Sequence, residues 1–123
     1  KELSETALIE VYGQELNAKT YAICKSDTMI KGKGYENIFL GNSFTDDGLP
    51  NHKFHYMLCN PPFGVEWKKY EDFIRDEAKD LGYAGRFGAG MPRVTDGSLL
   101  FLQHMISKMK PADEDGCRIG IVF

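Results

Sequence analysis

The sequence has little of several things, and each shortage excludes a class of protein. No apolar stretch nears the ~18 residues of a membrane-spanning helix, because Lys, Asp, Glu or Gly interrupts every candidate. The first residues, Lys1-Glu-Leu-Ser-Glu5, show neither the basic nor the apolar region of a signal peptide. A cytoplasmic chain with no membrane partner is therefore expected. Cysteine is scarce: Cys24, Cys59 and Cys117 are odd in number and form no C-x-x-C pair, so neither a disulfide framework nor a metal knuckle is indicated. They read as buried thiols in a reducing compartment. His52, His55 and His104 lack metal-ligand spacing, so no metal site is expected. An excess of positive charge is also missing, with 15 basic against 18 acidic residues and a net charge of −3. Any contact with nucleic acid has to rest on a local patch or on other chains.

What is present fits one modest core. The 123 residues are 42% hydrophobic and 27% charged, ordinary for a globular domain. Ala7 to Tyr12 is a run of β-formers that predicts a strand ended by Gly13. Leu16 to Ile30 reads as a helix, with Tyr21, Ala22, Cys24, Lys25, Thr28 and Met29 at three- and four-residue steps. Asn37–Leu40 and His55–Cys59 predict two more strands, separated by a polar loop from Thr45 to Lys53. Tyr70 to Leu81 predicts a charged helix, and Asp96-Gly97-Ser98 offers cap chemistry for another from Leu99 to Met109. In that last helix Leu99, Leu102, Met105, Ile106 and Met109 form the apolar stripe. Gly82 to Thr95 contains no acidic residue, two arginines and four glycines, the composition of a flexible, locally basic loop. Cys117 to Phe123 predicts a final strand. The order β-α-β-β-α-α-β argues for an α/β layer structure with a largely parallel sheet.

The chemistry concentrates at Asn60-Pro61-Pro62-Phe63, directly after an apolar strand. Two prolines remove two backbone donors and stiffen the turn, so the Asn60 and Pro61 carbonyls point out as acceptors beside the Asn60 carboxamide. Such an array can hold a planar amine by its hydrogens. Phe63 offers a face for a stacked base, a contact of roughly 1–3 kcal/mol. Ligands of open α/β sheets bind at the carboxyl ends of strands, which is where this turn falls.

This turn resembles the signature of S-adenosylmethionine-dependent amino-methyltransferases. Other segments narrow the resemblance: Gly13-Gln-Glu-Leu-Asn17, Thr20-Tyr-Ala-Ile-Cys-Lys25, Gly85-Arg-Phe-Gly-Ala-Gly90 and Asp96-Gly-Ser-Leu-Leu-Phe-Leu-Gln-His-Met105. With Asn60-Pro-Pro-Phe-Gly64 they look like the modification subunit of type I restriction-modification systems, the N-6 adenine-specific DNA methyltransferase family, over nearly the whole chain. The resemblance implies a Rossmann-like methyltransferase fold and methyl transfer from S-adenosylmethionine to adenine flipped out of DNA. It implies partner specificity and restriction subunits. It assigns Asn60 and Pro61 to the target amine, Phe63 to stacking and Pro62 to stiffening. It makes Glu15 the counterpart of the family's ribose-binding acid. Asn42 and Ser43 occupy the place of the family's Gly-Asp-Ser/Thr turn at the cofactor adenine, with Asn42 replacing the usual Asp. Arg86 and Arg93 are candidates for DNA phosphates.

The family's glycine-rich cofactor turn, carried by a central first strand, is not found before Ala7. Residues 1–123 are therefore expected to be a central fragment of the catalytic domain, inactive alone and inclined to self-association through unpaired strand edges. Alternative readings are an N-methyltransferase acting on RNA or protein glutamine, and a noncatalytic α/β interaction module.

Overall fold

The computed structural model describes residues 8–32, 34–62, 64, 66–111 and 116–123. Strands and helices alternate as anticipated: β1 (Gly13–Glu15), α1 (Ala18–Ile30), β2 (Ile38–Leu40), β3 (Tyr56–Cys59), α2 (Glu71–Leu81), α3 (Ser98–Ser107) and β4 (Arg118–Ile121), with three short 3-10 turns between them. The strands pair in parallel as two two-stranded sheets, β1 with β2 and β3 with β4. Parallel neighbours need a crossover, and helices supply it: α1 joins β1 to β2, while α2 and α3 lie between β3 and β4. The chain divides into two compact units, Lys1–Gly48 and Leu49–Phe123.

In the first unit, Gly13, Gln14 and Glu15 stand opposite Ile38, Phe39 and Leu40. The β-run expected from Ala7 to Tyr12 is not where the strand forms. Ala7 lies outside the described residues, and residues 8–12 adopt no strand. A strand exists only where a ladder partner runs beside it, and β2 offers three residues, which take the register of Gly13–Glu15. Asn17 starts α1, its Oδ1 accepting from the Lys19 and Thr20 amides at 2.9 and 3.1 Å. The helix buries no residue fully. Tyr21, Lys25 and Thr28 are its half-buried face, and Lys25 Nζ donates to the Tyr21 hydroxyl at 2.8 Å. Among the described residues of this unit, Ile38 and Phe44 are the buried apolar ones.

The second unit holds the larger core. Trp67, Ile74, Phe87 and Leu100 are completely enclosed, with Leu49 and Met105 also buried. The α3 stripe is rotated from the expected one: Ser98, Leu100 and Met105 are buried, whereas Leu99 and Ile106 are about half exposed. Polar bonds accompany that packing. Lys108, just past the helix, is buried and donates to the Leu49 carbonyl at 2.6 Å, and Gln103 and His104 also find partners, described below. A count of hydrophobic positions does not register such bonds. On α2, Ile74 is the buried anchor, and Phe73 and Leu81 are exposed.

The cysteines also differ from expectation. All three are free thiols; Cys24 is exposed on α1, and Cys59 and Cys117 are only partly covered. Burial pushes the Cys59 thiol pKa up. Among the described residues, no helix is long and apolar enough to cross a membrane.

Candidate active site

The first cluster forms at the carboxyl edge of β1 and β2. The parallel register sets Glu15 opposite Leu40, and the Gly41 amide donates to the Glu15 carbonyl at 3.0 Å, so the turn after β2 begins beside Glu15. Asn42 tightens that turn twice. Its Oδ1 accepts from the Phe44 amide at 2.8 Å, and its carbonyl accepts from Thr45 and Asp46 at 3.2 and 2.7 Å. Ser43 sits within the same turn, half-buried like Asn42. Gln14 fastens the far side, Nε2 donating to the Asp46 carbonyl at 2.6 Å and Oε1 accepting from the Gly48 amide at 3.1 Å. Packing is close at Gly41, where a Cβ would come within 3.0 Å of both the Asp46 carbonyl and Gln14 Nε2. The structure thus gathers Glu15, Asn42 and Ser43 at one edge.

This donor and acceptor set suits the ribose and base of a nucleoside. One Glu15 oxygen accepts from the Asn17 amide at 2.8 Å, and a carboxylate retains further lone pairs for two vicinal hydroxyls. The Asn42 amide oxygen likewise has a second lone pair beyond its bond to Phe44, and its NH2 is a donor. The nucleoside end of S-adenosylmethionine fits these residues.

The second cluster lies at the carboxyl edge of β3 and β4. Tyr56 to Cys59 pair with Arg118 to Ile121, and the Val122 amide extends the ladder to the Cys59 carbonyl at 3.2 Å. Asn60 follows as an exposed residue, Pro61 is buried and Pro62 is exposed. Leu58, Cys59, Asn60, Gly120, Ile121 and Val122 line an open hollow of about 460 Å³ at this edge. Phe63, assigned to stacking, lies outside the described residues.

The two arginines are placed differently. Arg86 is turned inward: its guanidinium binds Glu77 on α2, with Nη2 to Oε2 at 2.5 Å and Nε to Oε1 at 3.0 Å. Its Nη1 lies 3.2 Å from His104 Nδ1 on α3, and its Cζ stands 4.7 Å from the Phe87 ring centroid. Only 16% of the Arg86 side chain and 13% of that of Glu77 remain accessible. Burial, the largest single influence, would raise the Glu77 pKa, but the Arg86 hydrogen bonds and charge together outweigh it and hold it below the usual carboxylate range. Arg93 is exposed.

The stretch expected to be loose is held along its length. Gln103 Nε2 donates to the Gly90 carbonyl at 2.8 Å, and Trp67 donates through Nε1 to the Arg93 carbonyl at 2.8 Å and through its amide to that of Val94 at 3.0 Å. At Gly88 the backbone folds back so closely that a Cβ would lie 2.2 Å from the Gly82 carbonyl oxygen. Glycines are used here for close approach as well as for freedom. Asp96 prepares α3, Oδ1 accepting from the Ser98 hydroxyl and amide at 2.7 and 3.1 Å; those bonds lower its pKa. Sequence reading did not single out Gln14, Glu77 or Trp67 and gave His104 no role. The side-chain hydrogen bonds described above link them to residues nine or more positions away, and no short pattern announces those bonds.

Acceptor-rich turns at the carboxyl ends of parallel strands lie where open α/β sheets bind their ligands. The model of the N-6 DNA methylase family matches residues 1–123, and the chain belongs to that family. It is similar to the methylase subunit of the type I restriction enzyme MpnII of Mycoplasma pneumoniae, with 29% identity over 92 residues, 63% of this chain and 17% of that protein. Its fold is similar to that of a type I restriction-modification system methyltransferase subunit from Streptococcus thermophilus. There the TM-score is 0.66 at 22% identity, covering 89% of this chain and 22% of that one. The chain thus spans about a fifth of the length of the relatives it matches.

Proposed function

We propose that this chain provides the cofactor-side and target-side edges of an adenine-N6 DNA methyltransferase of the type I restriction-modification kind. The observation that carries the reading is Asn60-Pro61, exposed and buried respectively, at the carboxyl edge of the parallel β3–β4 pair. Membership of the N-6 DNA methylase family and similarity to two type I methyltransferase subunits support it. Bound S-adenosylmethionine would supply an activated methyl group; Glu15 would accept from its ribose hydroxyls, with Asn42 and Ser43 at its adenine. Asn60 and the Pro61 carbonyl would accept hydrogen bonds from the target adenine NH2. Those bonds would orient the amine and keep its nitrogen lone pair available, so positioning and fixed dipoles would supply the rate. Pro62 would keep the turn rigid and Phe63 would stack on the flipped base. Arg93 is the candidate for a DNA phosphate. A specificity subunit and a restriction subunit are the proposed partners.

The test is methyl transfer to DNA by the intact subunit with its partners. Asn60→Ala should lower kcat by about 10²- to 10³-fold, the cost of removing one preorganised hydrogen-bonding group, while cofactor affinity is kept. Turnover retained by Asn60→Ala refutes the role given to this residue.

A further inference from the structure

Residues 82–95 contain only two charged side chains, Arg86 and Arg93. Glu77 neutralises the first and encloses it. Three donors of Arg86 reach that one carboxylate: Nε at 3.0 and 3.1 Å, Nη2 at 2.5 Å and the backbone amide at 2.9 Å. Arg86 also reaches His104, so a single guanidinium joins α2, the loop and α3. Phe87, the next residue, is completely buried. Downstream, Gln103 holds the Gly90 carbonyl and Trp67 holds the carbonyls of Arg93 and Val94. The loop is therefore anchored on both sides of Ala89, and its exposed cation, Arg93, sits on a backbone fixed at its own carbonyl.

We propose that Glu77 is a positioning residue for DNA. By gripping Arg86 it sets the loop so that Arg93 meets a phosphate of the DNA backbone. This rests on the methyltransferase reading above. Glu77 touches neither DNA nor cofactor; Arg93 makes the contact. An arginine held in place spends less conformational freedom on binding than one on a mobile loop, and each phosphate contact adds about one unit to the salt dependence of binding.

The experiment uses the intact subunit assembled with its partners, a duplex carrying its recognition site, and Glu77→Gln, which keeps shape and removes charge. Glu77→Gln should raise the KM for DNA about tenfold, the usual scale for a charged hydrogen-bonded group, with a smaller change in kcat. Amide hydrogen exchange over residues 86–94 should accelerate. Arg93→Ala should raise KM similarly and reduce the salt slope by about one. The double variant should be little worse than Arg93→Ala alone, because Glu77 acts through Arg93. Glu77→Asp should fall between wild type and Glu77→Gln, and it carries the test should Glu77→Gln fold poorly. Additive effects in the double variant, or an active enzyme whose KM is unmoved by both Glu77 variants, overturn this assignment alone. A wild-type assembly that transfers no methyl group to DNA overturns the proposed function and this assignment together.

Discussion

The two units build their edges by different means. In Lys1–Gly48, α1 buries nothing completely, the strands are three residues long, and among the described residues Ile38 and Phe44 are the enclosed apolar ones. Its edge is shaped by hydrogen bonds: Gly41 to Glu15, Phe44 to Asn42, and the Gln14 amide spanning Asp46 and Gly48. In Leu49–Phe123, four fully enclosed side chains come first and polar clamps are added on top of them. A turn that must present polar atoms can be specified by local side chain-to-backbone bonds. A fourteen-residue loop cannot, because ordering each residue costs about 1–2 kcal/mol of backbone entropy, and a core is needed to offset it.

The contrast breaks most clearly at Trp67. Trp67→Ala removes an indole of 0% exposure together with its bond to Arg93. It should destabilise the second unit by about 3–5 kcal/mol, read by urea denaturation followed by circular dichroism. A loss below 1 kcal/mol would show that the loop does not depend on the core. Glu15→Gln probes the other unit, where little packing is at stake. It should weaken S-adenosylmethionine binding roughly 10- to 100-fold, the scale for losing charge-assisted hydrogen bonds, with an almost unchanged unfolding midpoint; calorimetric titration measures the first and denaturation the second.

Acid sharpens the difference further. The Glu77 pKa is lowered in the folded chain, so its pair with Arg86 and His104 adds stability above the unfolded carboxylate pKa of about 4.3, and that stability is lost as pH falls through the lower folded value. Wild type should therefore exceed Glu77→Gln in urea midpoint at pH 7, with the gap narrowing towards pH 3. A gap that stays constant would mean that the carboxylate charge contributes nothing. The smallest effect belongs to Asn17→Ala, which removes the cap of α1 and should cost about 1 kcal/mol, visible as earlier thermal loss of helical signal. No change would mean that α1 is held by its tertiary contacts rather than by its cap.

Much was legible in the sequence because it rests on local chemistry. The alternation of strands and helices follows from side-chain periodicity and breakers, and the strand-Asn-Pro-Pro turn follows from proline's missing donors. Asp96-Gly97-Ser98 marks the start of α3, but the cap position is Gly97 and makes no side-chain cap bond; Asp96 instead accepts from Ser98. Strand β1 was displaced by several residues because a strand is fixed by its partner, and Ile38 opposite Gly13 sets that register. Arg86 read as a cation available to phosphate; in the fold it lies against a carboxylate nine positions earlier in the chain.

By itself the sequence determined the α/β order, the strand-end position of Asn60-Pro61 and the motifs that mark an N-6 DNA methylase, since each depends on neighbouring residues alone. Tertiary structure decided which face of α3 turns inward, which arginine is enclosed and which exposed, and that the glycine-rich stretch is held in place. Those outcomes depend on where a buried charge or amide finds its partner, and leaving such a group unpaired costs more than any local preference supplies.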